Sequence, residues 1–275
     1  MKIKRKIETK QGLGGNITLL LILIALLNIY TLPLKAQCKL DNSAITSGEN
    51  IEYTLYFYWG LIWKEAGSAV YTTSKTTYNN LEALKLNLTM STNETADNFF
   101  KMRDTITSIV SNNLEPLYYR KAAEEGKRYT IDEATYNYIN NKSIASLKRS
   151  WKDGEVQCFQ EERSNCIYDM LSVLCKAKAL DNDKYKKGDR FNIEMTTGKK
   201  VETLTMEYRG VENVRAEDKT NYKCMVYTLL KPNKKNKLKD FITFYISNDT
   251  DKVLVKLKLE LNFGTAQVTL KKVNH

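Results

Sequence analysis

The chain has 275 residues, and 43 lysines and arginines against 32 acids give it a formal charge of +11. Residues 1–36 hold six of the basic groups and one acid, leaving 37 basic against 31 acidic groups, an ordinary balance that argues against a dedicated nucleic-acid binder. The single histidine is His275, so no Ser-His-Asp, Cys-His or His-based metal chemistry has its members here.

The first predicted element is a leader. Basic residues precede the uncharged run Ile17–Leu32, and Pro33 then leads into Leu34-Lys35-Ala36. Aliphatic Leu34 and small Ala36 suit the two pockets of a signal peptidase. Residues 1–36 therefore read as a secretory signal peptide cleaved between Ala36 and Gln37, which predicts export to the periplasm. The run falls short of the about 20 residues that span a bilayer comfortably. An uncleaved leader, anchored in the inner membrane through residues 17–34, is the alternative, and it is the only membrane attachment expected. Cys38 follows Lys35 and Gln37 at positions where lipoprotein acylation needs an aliphatic and a small residue, so it reads as an ordinary thiol.

Residues 37–275 are expected to form a single mainly-β domain, because no Ser/Gly/Pro-rich linker divides them. Ile51, Tyr53, Leu55, Phe57 and Trp59 alternate with Glu52, Thr54, Tyr56 and Tyr58. Similar runs occur at 61–73, 83–91 and 129–139, and Val253 to Phe263 alternates most cleanly. One apolar face and one wet face mark antiparallel strands, about ten to twelve of them. Two segments read as helices. Within Asn93–Val110, Phe99, Met102, Ile106, Ile109 and Val110 recur at three- and four-residue spacing, with Asn93 or Thr95 as cap. Within Asn165–Leu180, the stripe is Ile167, Met170, Leu171, Leu174 and Ala177, with Lys176 and Lys178 in the last turns. A sheet of this many strands twists and curls. The expected fold is one curled antiparallel sheet, a half-barrel or open barrel, with two packed α-helices. Asp153-Gly154 and Thr197-Gly198-Lys199 mark turns, and the lysine-rich stretch Lys231–Lys239 reads as a solvated hairpin loop. The five cysteines, Cys38, Cys158, Cys166, Cys175 and Cys224, are scattered and odd in number. Free, partly buried thiols are expected, with a local Cys158–Cys166 bridge left open.

The stretch Gly48 to Ala69, with its Gly-Glu start and Ala-Gly step, resembles the opening hairpin of the domain-of-unknown-function family numbered 3108. Leu114-Glu115-Pro116-Leu117-Tyr118, Tyr168-Asp169-Met170-Leu171-Ser172, Lys186–Arg190 and Leu261-Asn262-Phe263-Gly264 extend the resemblance in order over residues 47–273. The F-F-K-M-R-D-T and W-K-D-G stretches are most similar to versions found in Bacteroides-type bacteria. The resemblance implies a fold like that of the periplasmic lipoprotein carriers, a half-barrel with helices over its mouth. It implies no catalytic residue.

Chemistry is sparse. Glu124-Glu125 and Glu161-Glu162 are neighbours that a strand points to opposite faces, and Arg103-Asp104 reads as a surface ion pair. No cofactor, metal or enzymatic activity is expected. Aromatic residues are the main resource, with 17 Tyr, 8 Phe and 3 Trp. Tyr56, Trp59, Trp63, Tyr119 and Arg120 are the candidate ligand wall, whereas Tyr53 and Phe57 read as core strand residues. Asp104-Thr105-Ile106 resembles an O-glycosylation acceptor of exported Bacteroides-type proteins, with Thr105 as the modified residue. The expected function is an exported envelope protein that binds or carries a lipid, a lipid-linked ligand or another amphiphile. The alternative is a structural or interaction protein with an envelope protein partner and no small-molecule ligand.

Overall fold

The computed structural model describes residues 38–40, 45–59, 62–181, 184–261 and 264–274, without the side chains of Trp59, Ile62 and Trp63. The chain divides into Met1–Ala36 and Gln37–His275, and all described residues belong to the second unit. The signal peptide, its cleavage at Ala36 and Gln37, and the anchor alternative lie outside the described residues.

The described residues form one sheet of 15 strands, more than the sequence alone suggests. In chain order they are β1 (Asn50–Trp59), β2 (Ile62–Tyr78), β3 (Leu81–Thr92), β4 (Met102–Ser111), β5 (Pro116–Glu125), β6 (Arg128–Ile139), β7 (Lys142–Trp151) and β8 (Val156–Arg163). There follow β9 (Ile167–Tyr168), β10 (Arg190–Thr196), β11 (Val201–Arg215), β12 (Asn221–Pro232), β13 (Leu238–Ser247), β14 (Leu254–Leu261) and β15 (Gly264–Asn274). Two short helices, α1 (Glu94–Asp97) and α2 (Ser172–Lys178), complete the described elements. Every neighbouring pair is antiparallel except β9 with β10. β1 pairs with β15, so the strands run from β8 back to β1 and from β15 back to β9.

The curl goes further than an open half-barrel. The two edges, β8 and β9, come round towards each other, and side chains cross the remaining gap. Arg163 of β8 lies 3.3 Å from the Glu194 carboxylate of β10 and donates to the Val201 carbonyl at 3.1 Å. Tyr136 of β6 and Thr196 of β10 share a hydrogen bond of 3.2 Å. The result is a mainly-β, nearly closed, barrel-like sheet.

Packing departs from the expected two helices. The segment predicted as the first helix is a single turn, α1, followed by strand β4. The Asn93 carboxamide accepts from the Ala96 N–H at 2.9 Å and caps that turn, but no residue of α1 is buried. From Asp104 the run is dense in β-branched residues, and Asp104, Ile106, Ser108 and Val110 turn inward alternately. The apparent helical spacing of Met102, Ile106 and Val110 arises because residues four apart share a face on a strand as well, while Phe99 precedes β4 on the loop. Arg103 and Asp104 are therefore not a surface pair. Arg103 bonds Asp97 at 2.6 Å, while Asp104 faces inward to Lys121 at 3.2 Å.

The second helix does form, but it is shorter, and it fills the barrel rather than covering it. Ile167 belongs to β9, and Leu171, Val173, Leu174, Cys175 and Ala177 are buried around nearly the whole circumference of α2. Lys178, read from the sequence as a last-turn lysine, is 2% exposed and bonds the Glu49 carboxylate at 3.0 Å. Cys38 is not a free thiol. It is bonded to Cys166, which ties the segment before β1 to the strand leading into α2 and excludes the local Cys158–Cys166 bridge. Cys158, Cys175 and Cys224 are free.

The hairpin of β11 and β12 supplies a partial second layer. A bulge at Tyr208/Gly210 bends it, and Gly210 takes a φ of +92° that favours glycine. Its turn reaches β15, where the Glu217 N–H donates to the Leu270 carbonyl at 2.8 Å. This is why outward-facing Cys224, Val226, Tyr245 and Thr269 are buried.

Candidate functional site

The up-and-down order of the strands gathers seven hairpin connections at one end of the barrel, those of β1–β2, β3–β4, β5–β6, β7–β8, β10–β11, β12–β13 and β14–β15. The opposite end is closed by the segment around Cys38 and Ile45, by Leu114 and by α2, all of them in the core. The barrel thus has a plugged base and a mouth ringed by turns.

The inner wall changes character towards the mouth. Near the plug Ile51, Tyr53, Leu86 and Phe244 are buried. Further up the same inner face, Phe57, Leu88, Met90, Leu257, Leu259 and Val268 are only partly buried. Register confirms their direction, since Val268 pairs with Leu55, Leu257 with Phe244, and Met90 with Ala69. On β15 the usual order is inverted: inward Val268 keeps some exposure while outward Gln267 and Thr269 are buried.

The facing arc, β4 to β7, is charged. Arg149 holds Asp132 with two bonds of 2.5 Å, from Nε and Nη2. Lys121 sits 3.2 Å from Asp104 and 3.0 Å from Glu125. Burial opposes the charge on Lys121, but the two carboxylates outweigh it and hold the ammonium above its ordinary pKa. Burial raises the Asp104 pKa despite Lys121, whereas for Glu125 the pull of Lys121 and Arg128 overcomes burial and lowers it. One Asp104 oxygen, Oδ1, has no hydrogen-bond partner. The Arg149 guanidinium and the Lys199 ammonium lie over the Trp151 ring, at 6.0 and 4.7 Å from its centroid. One half of the mouth is thus apolar and the other ionic.

Among the described side chains, the candidate wall read from the sequence is divided between the two faces of the sheet. Tyr56 lies on the outer face, where its hydroxyl donates to Glu217 at 2.7 Å under the β11–β12 hairpin. Tyr119 faces inward but is buried in the core, and burial lifts its pKa well above the ordinary tyrosine value. Arg120, the next residue on the strand, points outward. Trp59 and Trp63 belong to the β1–β2 turn region at the mouth, with side chains outside the described residues. Thr105 is on the outer face of β4, partly buried between Thr89 and Ala122 rather than on a helix. Phe57 and Leu257 were visible in the sequence as strand residues; their incomplete burial depends on how the barrel is plugged.

Two open concavities also occur among the described residues. A trough of about 620 Å³ runs over the outer face of β5–β8, lined by Tyr118, Glu133, Lys148, Cys158 and Phe159 among others. A smaller one, about 340 Å³, sits on the rim between Glu124, Gly126, Lys127, Arg128, Tyr129 and Lys152. No cluster suited to a metal ion and no helix long and apolar enough to cross a membrane occurs among the described residues.

Comparison with known proteins gives a family and a fold. The family described as a protein of unknown function, DUF3108, matches residues 52–271. A β-barrel-like protein of family DUF1849 from Brucella abortus superposes with a TM-score of 0.53 at 8% identity, over 83% of this chain and 97% of that one. A protein described as exported, with a YmcC-like fold, from Bacteroides fragilis gives a TM-score of 0.35 at 10% identity, over 84% of this chain and 97% of that one. No curated protein matches.

Proposed function

The chain belongs to the DUF3108 family, and from that premise we propose that it is an exported envelope protein whose barrel mouth binds an amphiphile, a lipid or a lipid-linked molecule. The observation that carries this reading is the incompletely buried apolar arc of the mouth, most plainly the inverted burial on β15. Apolar surface left in water forgoes about 25 cal/mol per Å², which an inserted acyl chain recovers. The ionic arc opposite suits the polar end of the same molecule, because binding sites pair apolar walls with a few fixed polar groups. Export is supported by the Cys38–Cys166 bond, since disulfides persist in oxidising compartments. The proposal includes no reaction, cofactor or metal.

Binding of a pyrene-labelled fatty acid, followed by fluorescence, tests it. The unaltered protein is expected to saturate, and Leu257→Lys to weaken binding by about tenfold or more, because the new ammonium must be desolvated. Leu81→Lys, at a side chain 66% exposed at the start of β3, is the matched control and is expected to bind normally. Circular dichroism of all three proteins monitors folding. No saturable binding by the unaltered protein defeats the proposal. The second reading, an interaction protein, draws on the outer trough of β5–β8. That surface is pre-set: the Tyr118 hydroxyl donates to Glu133 at 2.8 Å and Lys148 reaches the same carboxylate at 3.2 Å.

A further inference from the structure

We propose that the rim of the mouth is a docking surface for an anionic lipid bilayer, an inference that rests on the amphiphile reading and says where the ligand is exchanged. The rim combines two features that membrane-surface binding needs together, unpaired cations and exposed aromatic or aliphatic side chains.

Cations concentrate on four adjacent tips. Lys127 on the β5–β6 turn, Lys152 on the β7–β8 turn, and Lys234, Lys235 and Lys237 on the β12–β13 turn have no carboxylate within ion-pair distance among the described residues. Lys199 on the β10–β11 turn lies against Trp151. The acids here are fewer or already engaged: Glu124 pairs with Lys101 at 2.9 Å, and Glu125 with Arg128 at 2.8 Å. Asp153 and Glu155 are the unpaired acids of the β7–β8 turn. The rim concavity of about 340 Å³ brings Lys127, Arg128 and Lys152 around one space with a single acid, Glu124, a lining whose charge suits a phosphate headgroup.

Apolar groups lie beside it. Phe99 is 86% exposed and Phe100 48%, on the loop between α1 and β4. The Phe100 ring lies against the β5–β6 turn, where a β-carbon added to Gly126 would sit 3.7 Å away. Tyr129, Val156, Leu238 and Leu261 are exposed on the same end, so six of the ten large exposed apolar side chains among the described residues gather there. A polar surface has no use for such a cluster. An acidic protein face would answer the charges but not the protruding phenylalanines, which fit the headgroup–acyl boundary of a bilayer. The mouth opens at this end, so docking sets the apolar arc over the lipid.

Co-sedimentation with vesicles tests the proposal, using the protein as isolated after export. Phosphatidylcholine vesicles with phosphatidylglycerol are expected to bind the protein, and phosphatidylcholine alone to bind little. Added salt is expected to release it, because exposed charges are screened over about 8–10 Å at physiological ionic strength. Lys127→Glu with Lys152→Glu is expected to weaken binding by about tenfold or more. Phe99→Ser with Phe100→Ser is expected to weaken it several-fold while leaving pyrene–fatty acid binding in solution intact. Equal binding to both vesicles, no binding, or insensitivity to both double substitutions overturns the proposal. So does binding to polyglutamate as strong as that to vesicles, which assigns the rim to an acidic protein. Because the fatty-acid measurement uses no vesicle, failure of docking and failure of the amphiphile reading give different results.

Discussion

Single buried polar groups organise the interior of this barrel. Asp169 is fully buried, and its carboxylate accepts three hydrogen bonds: from the N–H groups of Leu171 and Ser172 at 2.9 Å each and from the Ser108 hydroxyl at 2.8 Å. Burial nevertheless pushes its carboxyl pKa above the usual value, with these hydrogen bonds opposing. Between the unfolded pKa and the raised folded one, the folded state holds a proton that the unfolded chain has lost, so stability is greatest below the unfolded carboxylate pKa. It falls as pH rises through the raised folded value and is level above it. Asp169→Ala is expected to cost about 2–3 kcal/mol by orphaning those donors, and Asp169→Asn distinctly less. Thermal melts at about pH 7 and about pH 4 should show wild type gaining on Asp169→Asn towards acid; a gap that is constant or reversed contradicts the assignment. Lys178 is a parallel case. Its partner Glu49 is 129 residues away, so helical spacing carries no sign of the pair. Lys178→Ala leaves the Glu49 carboxylate without its cation and is expected to cost about 3–5 kcal/mol in chemical denaturation, whereas Lys178→Met with Glu49→Gln should recover much of that loss. Full stability of the single variant would show that the pair contributes little.

Elements were legible where one physical signal dominated. The alternation of Ile51 to Phe57 and of Val253 to Leu261 is long and unambiguous, and both segments are strands at the places expected. The β12–β13 loop was legible from its lysines and asparagines, because no buried strand tolerates them. The segment after Asn93 was not, because Phe99, Met102, Ile106, Ile109 and Val110 satisfy helical spacing while Ile106, Ser108 and Val110 satisfy strand spacing. Only the neighbours decide: β4 is flanked on both sides by strands whose hydrogen bonds it completes. Two of the candidate ligand residues are separated for a related reason. Tyr119 and Arg120 are adjacent on a strand and must face opposite sides. The Cys38–Cys166 bond was out of reach of any spacing rule, since 128 positions separate its ends. Closing a loop that long restricts the unfolded chain, by about 4–5 kcal/mol in the chain-entropy account. Cys38→Ser with Cys166→Ser, or reduction of the wild type, is expected to lower unfolding free energy by about 3 kcal/mol or more in urea titrations. Identical midpoints with and without reductant would show that the bond does not stabilise the fold.

At the scale of the whole molecule, the alternation fixes a curled sheet but not how far it closes, because closure depends on which edges meet. β8 and β9 face each other with side chains in place of a backbone ladder. Arg163 is the principal link, touching Glu194 and the Val201 carbonyl, and a second contact joins the hydroxyls of Tyr136 on β6 and Thr196 on β10 at 3.2 Å. A ladder distributes its strength over every residue of a strand, whereas this seam concentrates it in a few polar contacts near solvent. β8 is also the least buried strand, with Val156 and Cys158 to Gln160 all exposed. The barrel should therefore open first along this line, by local unfolding well below the global free energy. Hydrogen exchange followed by mass spectrometry is expected to show β8, β9 and the outer edge of β10 exchanging faster than β1, β12 and β15. Arg163→Ala should speed exchange at β8, β9 and β10 several-fold while leaving β1 and β15 unchanged. The contrast matters for the mouth, because its ionic arc on β4–β7 borders the seam through Arg149 and Trp151, whereas its apolar arc stands on the continuously paired side. If Arg163→Ala accelerates exchange uniformly, the seam is not a separate unit and the barrel opens as one body.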